Sequence, residues 1–137
     1  MRVLDEAVTA ALVDLGLGPV YYGSADRDTP PPYLVHRATD SRKGELGRAG
    51  MGFQVGAGVQ AREYEQCVVA VSRDPDQAEA MREAVVERFQ GLVLALAGWR
   101  AQPCDWVGEV HDPGDLLPGG TIGYEAGDRW VIRIFRP

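Results

Sequence analysis

Cysteine, histidine and positive charge are all scarce in this chain, and each shortage removes a class of function. Two cysteines, Cys67 and Cys104, stand far apart and neither belongs to a C-x-x-C pair, so neither a disulfide framework nor a zinc knuckle is expected. Both are read as small, buried apolar residues. The two histidines, His36 and His111, have no second His, Cys or carboxylate at ligand spacing, so no metal site is predicted. Long hydrophobic runs are missing too: the longest, Leu92 to Ala97, falls far short of the roughly 20 residues a membrane helix needs. The N-terminus lacks the basic-then-apolar pattern of a secretory signal, which gives a cytoplasmic origin as the expectation. Lysine and arginine number 14 against 20 carboxylates, a formal charge of −6. A surface that grips nucleic acid through clustered basic residues is therefore not expected, whereas an acidic surface past which DNA slides without adhering fits this balance.

What is present is an ordinary globular composition. At 137 residues, 45% apolar and 25% charged, the chain has the length of one domain and enough apolar material for its own core. Residues 2–15 place Val3, Leu4, Ala7, Val8, Ala11, Leu12 and Leu15 at helical spacing, with Asp5 and Glu6 in the first turn and Gly16 and Gly18 as a stop. The run "YYGSADRDTPPP" is loop from Gly23 onward, since three consecutive prolines suit neither a helix nor a central strand. Tyr33 to Thr39, "YLVHRAT", then reads as a strand. The polar, glycine-rich and locally basic stretch from Asp40 reads as a mobile loop over 40–52.

Gly56, Gly58 and Ala61 in "QVGAGVQA" match the G-x-G-x-x-A spacing of a dinucleotide-binding turn. Such a turn works only where a helix leaves it and aims free N–H groups at a pyrophosphate. Here "REYEQCVVAVS" follows, a strong strand with Cys67, Val69 and Val71 on one face and Val68 and Ala70 on the other. The glycines are read as permitting a twisted hairpin or bulge, and no nucleotide cofactor is expected.

The clearest local signal is "RDPDQAEAMREAVVERF". Asp74 is a good N-cap, Pro75 suits the first helical position, and Gln77 would complete a capping box. The stripe Met81, Val85, Phe89, Leu92, Val93 and Leu96 predicts a helix running to a stop at Gly98, with Glu79, Arg82, Glu83, Glu87 and Arg88 toward solvent. "WRAQPCDWVGEV" is extended around Pro103, "HDPGDLLPGG" is a turn-rich loop, and "TIGYEAGDRWVIRIFRP" predicts a hairpin turning near Gly127 and Asp128. The expected fold is α+β: a mainly antiparallel sheet of about four to six strands with two helices packed on one face.

Candidate chemistry is thin. Cys67 sits mid-strand in an apolar run, where a thiol is inert. Asp26 with Asp28 and Asp112 with Asp115 lie in Pro-rich or Gly-rich loops, where Asp bonds its own backbone in turns, and neither pair extends to a calcium loop. No G-x-S-x-G occurs. No catalytic residue and no cofactor are predicted.

The order of elements as a whole resembles the tail terminator, or tail completion, proteins of long-tailed bacteriophages. The resemblance is carried by the N-terminal helix, the Pro-rich loop into "PPYLVHRAT", the strand "EYEQCVVAVSRD" feeding at once into "PDQAEAMREAVVERFQGL", then "WRAQPC" and the closing strand "DRWVIRIFRP". It implies a structural virion protein, not an enzyme: a ring, usually of six copies, that caps the head-proximal end of the tail tube, ends tube polymerisation and joins neck or head-completion proteins. DNA would pass through its lumen without specific binding. On this reading Arg42, Lys43, Arg48, Met51 and Phe53 form an arm against a neighbouring subunit or the tube, since a basic loop with apolar residues at its edge can steer and then anchor. Leu116 and Leu117 would form a second contact patch. The rival readings are a neck or tube protein, and a small enzyme or ligand-binding domain using the open face of the sheet with His36 or His111.

Overall fold

The computed structural model describes residues 1–26, 28–39, 60–110, 117 and 123–136. Helix α1 (Arg2–Val13) leads to strands β1 (Val20–Tyr22), β2 (Tyr33–Thr39) and β3 (Gln60–Ser72), then helix α2 (Pro75–Phe89) and strands β4 (Arg100–Ala101), β5 (Asp105–Glu109) and β6 (Tyr124–Arg136). The strands form one sheet in the order β1-β2-β3-β6-β4, with β5 also paired to β6. β1 runs parallel to β2; the other pairings are antiparallel. This is the expected α+β architecture.

The centre of the sheet is the β3–β6 ladder, paired from Gln60↔Arg136 to Ser72↔Tyr124. At about 3.3 Å per residue its thirteen pairs span about 40 Å. Strand alternation gives the ladder two faces. Leu34, Tyr64, Val68, Ala70, Trp130, Ile132 and Ile134 point to one, where they meet Leu4, Val8 and Leu12 of α1 and Met81, Val85 and Phe89 of α2 in the main core. Both helices therefore cover the same face. Trp130 and Phe89, each fully buried, have ring centroids 5.7 Å apart. Burying such aromatic side chains stabilises by about 2 to 3 kcal/mol each. The opposite face carries a smaller cluster of Tyr33, Val35, Val69 and Val71 under Ala25 and Leu117.

Three local expectations are corrected. Helix α2 ends at Phe89, not Gly98: Gln90 leaves the helical region and Gly91 takes φ 74°, a left-handed conformation suited to glycine. Beyond it Leu94 and Leu96 still reach the core, whereas Val93 is exposed. At the helix start, Asp74 Oδ1 accepts from the Asp76 backbone N–H at 3.0 Å, as expected of a cap. Gln77, however, pairs with the Ser72 hydroxyl, and that hydroxyl accepts from the Asp74 N–H at 3.2 Å, so Ser72 replaces the capping box. Finally, no hairpin turns at Gly127 and Asp128, which lie inside β6 opposite Val69 and Val68. A Cβ on Gly127 would stand 2.5 Å from the Val68 carbonyl oxygen, so glycine is required there by close approach of two backbones.

Candidate functional site

Of the seven predicted contact residues, Arg42, Lys43, Arg48, Met51, Phe53 and Leu116 lie outside the described residues, as do His111, Asp112, Asp115 and the two glycines of the G-x-G-x-x-A stretch. The segment carrying the basic arm departs from Thr39 and returns at Gln60. Leu117 is described and is 8% exposed, packed into the second apolar cluster with Tyr33, Val35 and Val71. Ala61 sits in β3 opposite Phe135, so the chain enters a strand after the glycines, and no helix N-terminus follows them.

His36 projects from β2 beneath α1 and is fully buried. Gln66 Nε2 donates to its Nδ1 at 2.9 Å, which leaves Nε2 protonated and donating to Thr9 Oγ1 at 2.8 Å. The edge of Tyr22 packs on the ring at 5.4 Å. Burial pushes the imidazole down to about 4, so the ring is neutral at physiological pH and ties α1 to β2 and β3. Outside it lies a groove of about 630 Å³ along Asp5, Glu6, Thr9, Val13 and Tyr22; Thr9 separates that groove from the histidine. Burial likewise pushes both the Cys67 and Cys104 thiols up to about 11, which makes them poor nucleophiles. The Asp26 carbonyl accepts from the Thr29 N–H at 2.9 Å, a main-chain bond that involves neither aspartate side chain. Among the described residues, no three His, Cys, Asp or Glu side chains converge to hold a metal ion.

The informative chemistry lies at the two ends of the long ladder. At the end where β3 begins and β6 finishes, Arg62 and Arg136 project from the helix-side face onto the ring of Trp99, their guanidinium carbons 5.4 and 4.2 Å from its centroid. A cation over an indole face is held by the ring quadrupole. Arg136 Nε also donates to Gln60 Oε1 at 2.8 Å, and Arg62 Nη1 to the Tyr64 hydroxyl at 3.4 Å. Arg100, on the neighbouring strand opposite Phe135, is exposed on the other face of the sheet. Among the described residues, no carboxylate pairs with Arg62, Arg100 or Arg136.

The other end is acidic. Glu79 and Glu109 flank a groove of about 190 Å³ with Arg82 at its base, closed by the β6 segment Glu125–Gly127, and Asp74 and Asp76 are exposed on the adjoining helix start. Arg82 reaches from α2 to buried Asp128 with two bonds of 2.9 Å, and touches Glu79 at 2.7 Å and Glu109 at 3.1 Å. Trp106 Nε1 donates to the same Asp128 at 2.9 Å. The carboxylates, Asp128 first, hold Arg82 firmly protonated, and the single guanidinium is outnumbered by the three acids it touches. The predicted solvent-facing role of Arg82 is thus corrected: the side chain is 19% exposed and clamps the helix to the sheet.

Sequence reading missed both ends. Trp99 lies 37 positions from each of Arg62 and Arg136, and Arg82 lies 46 from Asp128, so no local pattern announces either grouping. The surplus of isolated arginines in "AREY" and "IFRP" was the one available signal. No protein-family model matches this chain, and no curated protein matches it either.

Proposed function

We propose that this chain is a phage tail terminator: a structural subunit that closes into a ring at the head-proximal end of a tail tube, stops tube growth and offers a surface to neck or head-completion proteins. The observation that carries this reading is the unlike character of the two ends of the β3–β6 ladder, arginine and tryptophan at one and a carboxylate-lined groove at the other. A cyclic ring needs heterologous contacts, in which one patch on each subunit meets a different patch on its neighbour. Support also comes from the element order, with β3 passing into α2 across just Arg73 and Asp74 and a long closing strand at the end. The net acidic chain suits a lumen through which DNA passes unbound. Trp106 and Val107, exposed on β5, and Tyr22 and Val13 beside the opposite edge of the sheet supply apolar contact area for tube and neck partners.

Native mass spectrometry over a micromolar concentration series tests this. A discrete six-fold species without larger forms is the expected result. An open ladder of growing species would instead favour a tube subunit, and a strict monomer at every concentration would refute self-assembly.

A further inference from the structure

We infer that copies of this chain dock head to tail, with the Arg62–Trp99–Arg136 end of one entering the groove of Glu79 and Glu109 on the next. The inference rests on the ring reading above for its occupant, a second copy, and adds which surfaces meet.

The argument is one of charge complementarity. Two arginines, Arg62 and Arg136, share the ring of Trp99 at one end of a protein whose net charge is −6, and among the described residues neither has a carboxylate to offset it. Left in water such a cluster repels itself. Stacking of Arg62 and Arg136 on one indole holds both guanidinium groups in place, so little side-chain freedom is lost when a partner arrives. The groove at the opposite end has the converse defect. Asp128 takes two bonds from Arg82, which leaves Glu79 and Glu109 sharing the remainder of one guanidinium. At about 190 Å³ the groove has room for a guanidinium, whose planar fork matches carboxylate geometry. From Asp128 at the groove to Arg136 is eight residues of β6, about 26 Å along the strand, so one copy cannot satisfy both itself. Two arginine-bearing side chains neutralise too few phosphates to hold nucleic acid at physiological salt, which favours an acidic protein surface as partner.

The test is a charge swap. One variant carries Arg62→Glu and Arg136→Glu, a second carries Glu79→Lys and Glu109→Lys, and assembly of the full chain is followed by analytical ultracentrifugation and native mass spectrometry. Each variant alone places like charges at every contact, and the concentration for half assembly should rise on the order of tenfold or more. Mixed in equal amounts, the two should assemble at the wild-type concentration, because alternating copies restore opposite charges at both kinds of junction. The Arg62→Gln, Arg136→Gln variant keeps side-chain bulk over Trp99 and should weaken assembly by a smaller factor, which guards against a folding defect in the reversed protein. Reversed variants that assemble as wild type, or a mixture that fails to recover, overturn the docking mode while a wild-type ring stands. A wild-type monomer overturns both readings, and a charge-sensitive open ladder keeps this contact while removing the ring.

Discussion

Acidification should loosen this fold through one residue. In the denatured chain His36 titrates near its ordinary 6.5, and in the native protein burial pushes it down to about 4. Between those values the denatured state binds a proton that the native state refuses, so stability rises with pH across the window and is lost as pH falls through it, levelling off below about 4. The full shift corresponds to about 3.4 kcal/mol, and the linkage relation places about 2 kcal/mol of the loss between pH 7 and pH 5. The cause is removal from water, because His36 is fully buried and its two hydrogen bonds go to neutral groups, Thr9 and Gln66. Urea unfolding followed by far-UV circular dichroism at pH 5, 6 and 7 reads this directly. With a slope of about 2 kcal/mol per molar urea, the midpoint should fall by about 1 M from pH 7 to pH 5. A His36→Gln variant, less stable at pH 7, should show a nearly flat midpoint over the same range, since carboxylates titrate mostly below it. Parallel curves for the two proteins would refute the reasoning and place the pH dependence elsewhere.

Further outcomes follow from the same contacts. Asp128→Ala removes the buried partner that Arg82 and Trp106 share and should cost about 3 kcal/mol by urea unfolding, whereas replacing Arg82 and Asp128 jointly by leucine should cost less than the single change. Gly127→Ala forces a Cβ against the Val68 carbonyl and the Val69 side chain, and a loss of about 2 to 3 kcal/mol is expected in the same assay. Native protein at pH 8 should release almost no colour from a disulfide thiol reagent, and two thiols per chain should react once urea is added, because Cys67 and Cys104 are both held near 11 by burial.

The parts of the fold legible in the sequence are those fixed by neighbours along the chain. Asp74 and Pro75 announce the start of α2 because a cap and a fixed φ act within one turn, and the alternation of Val68, Val69, Ala70 and Val71 announces β3 because side chains must point to opposite faces. The end of α2 was not legible: Leu92, Leu94 and Leu96 keep the apolar density of a helix although they pack as an irregular segment, and a short apolar run fits either. Gly127 beside Asp128 carries a turn signature, yet one residue is glycine for a neighbouring backbone and the other is acidic for an arginine 46 positions away. The same holds for the candidate contact surfaces. Arg62, Trp99 and Arg136 become a unit when β3 and β6 lie side by side, a juxtaposition no local window contains.

That central ladder also sets the order of events in the life of the molecule. β3 pairs with a strand that begins more than fifty positions later, so contacts of high sequence separation dominate and loop closure precedes any reward from pairing. On a ribosome, β3 and its apolar residues must wait, unpaired along one edge, until the chain has been made as far as Arg136. Such a nascent chain is a target for chaperones and for its own neighbours on a polysome. Yield in a cell should therefore depend on how quickly the last strand arrives, and slowing translation between codons 73 and 123 should send more of the product into aggregates without altering the stability of the molecules that fold.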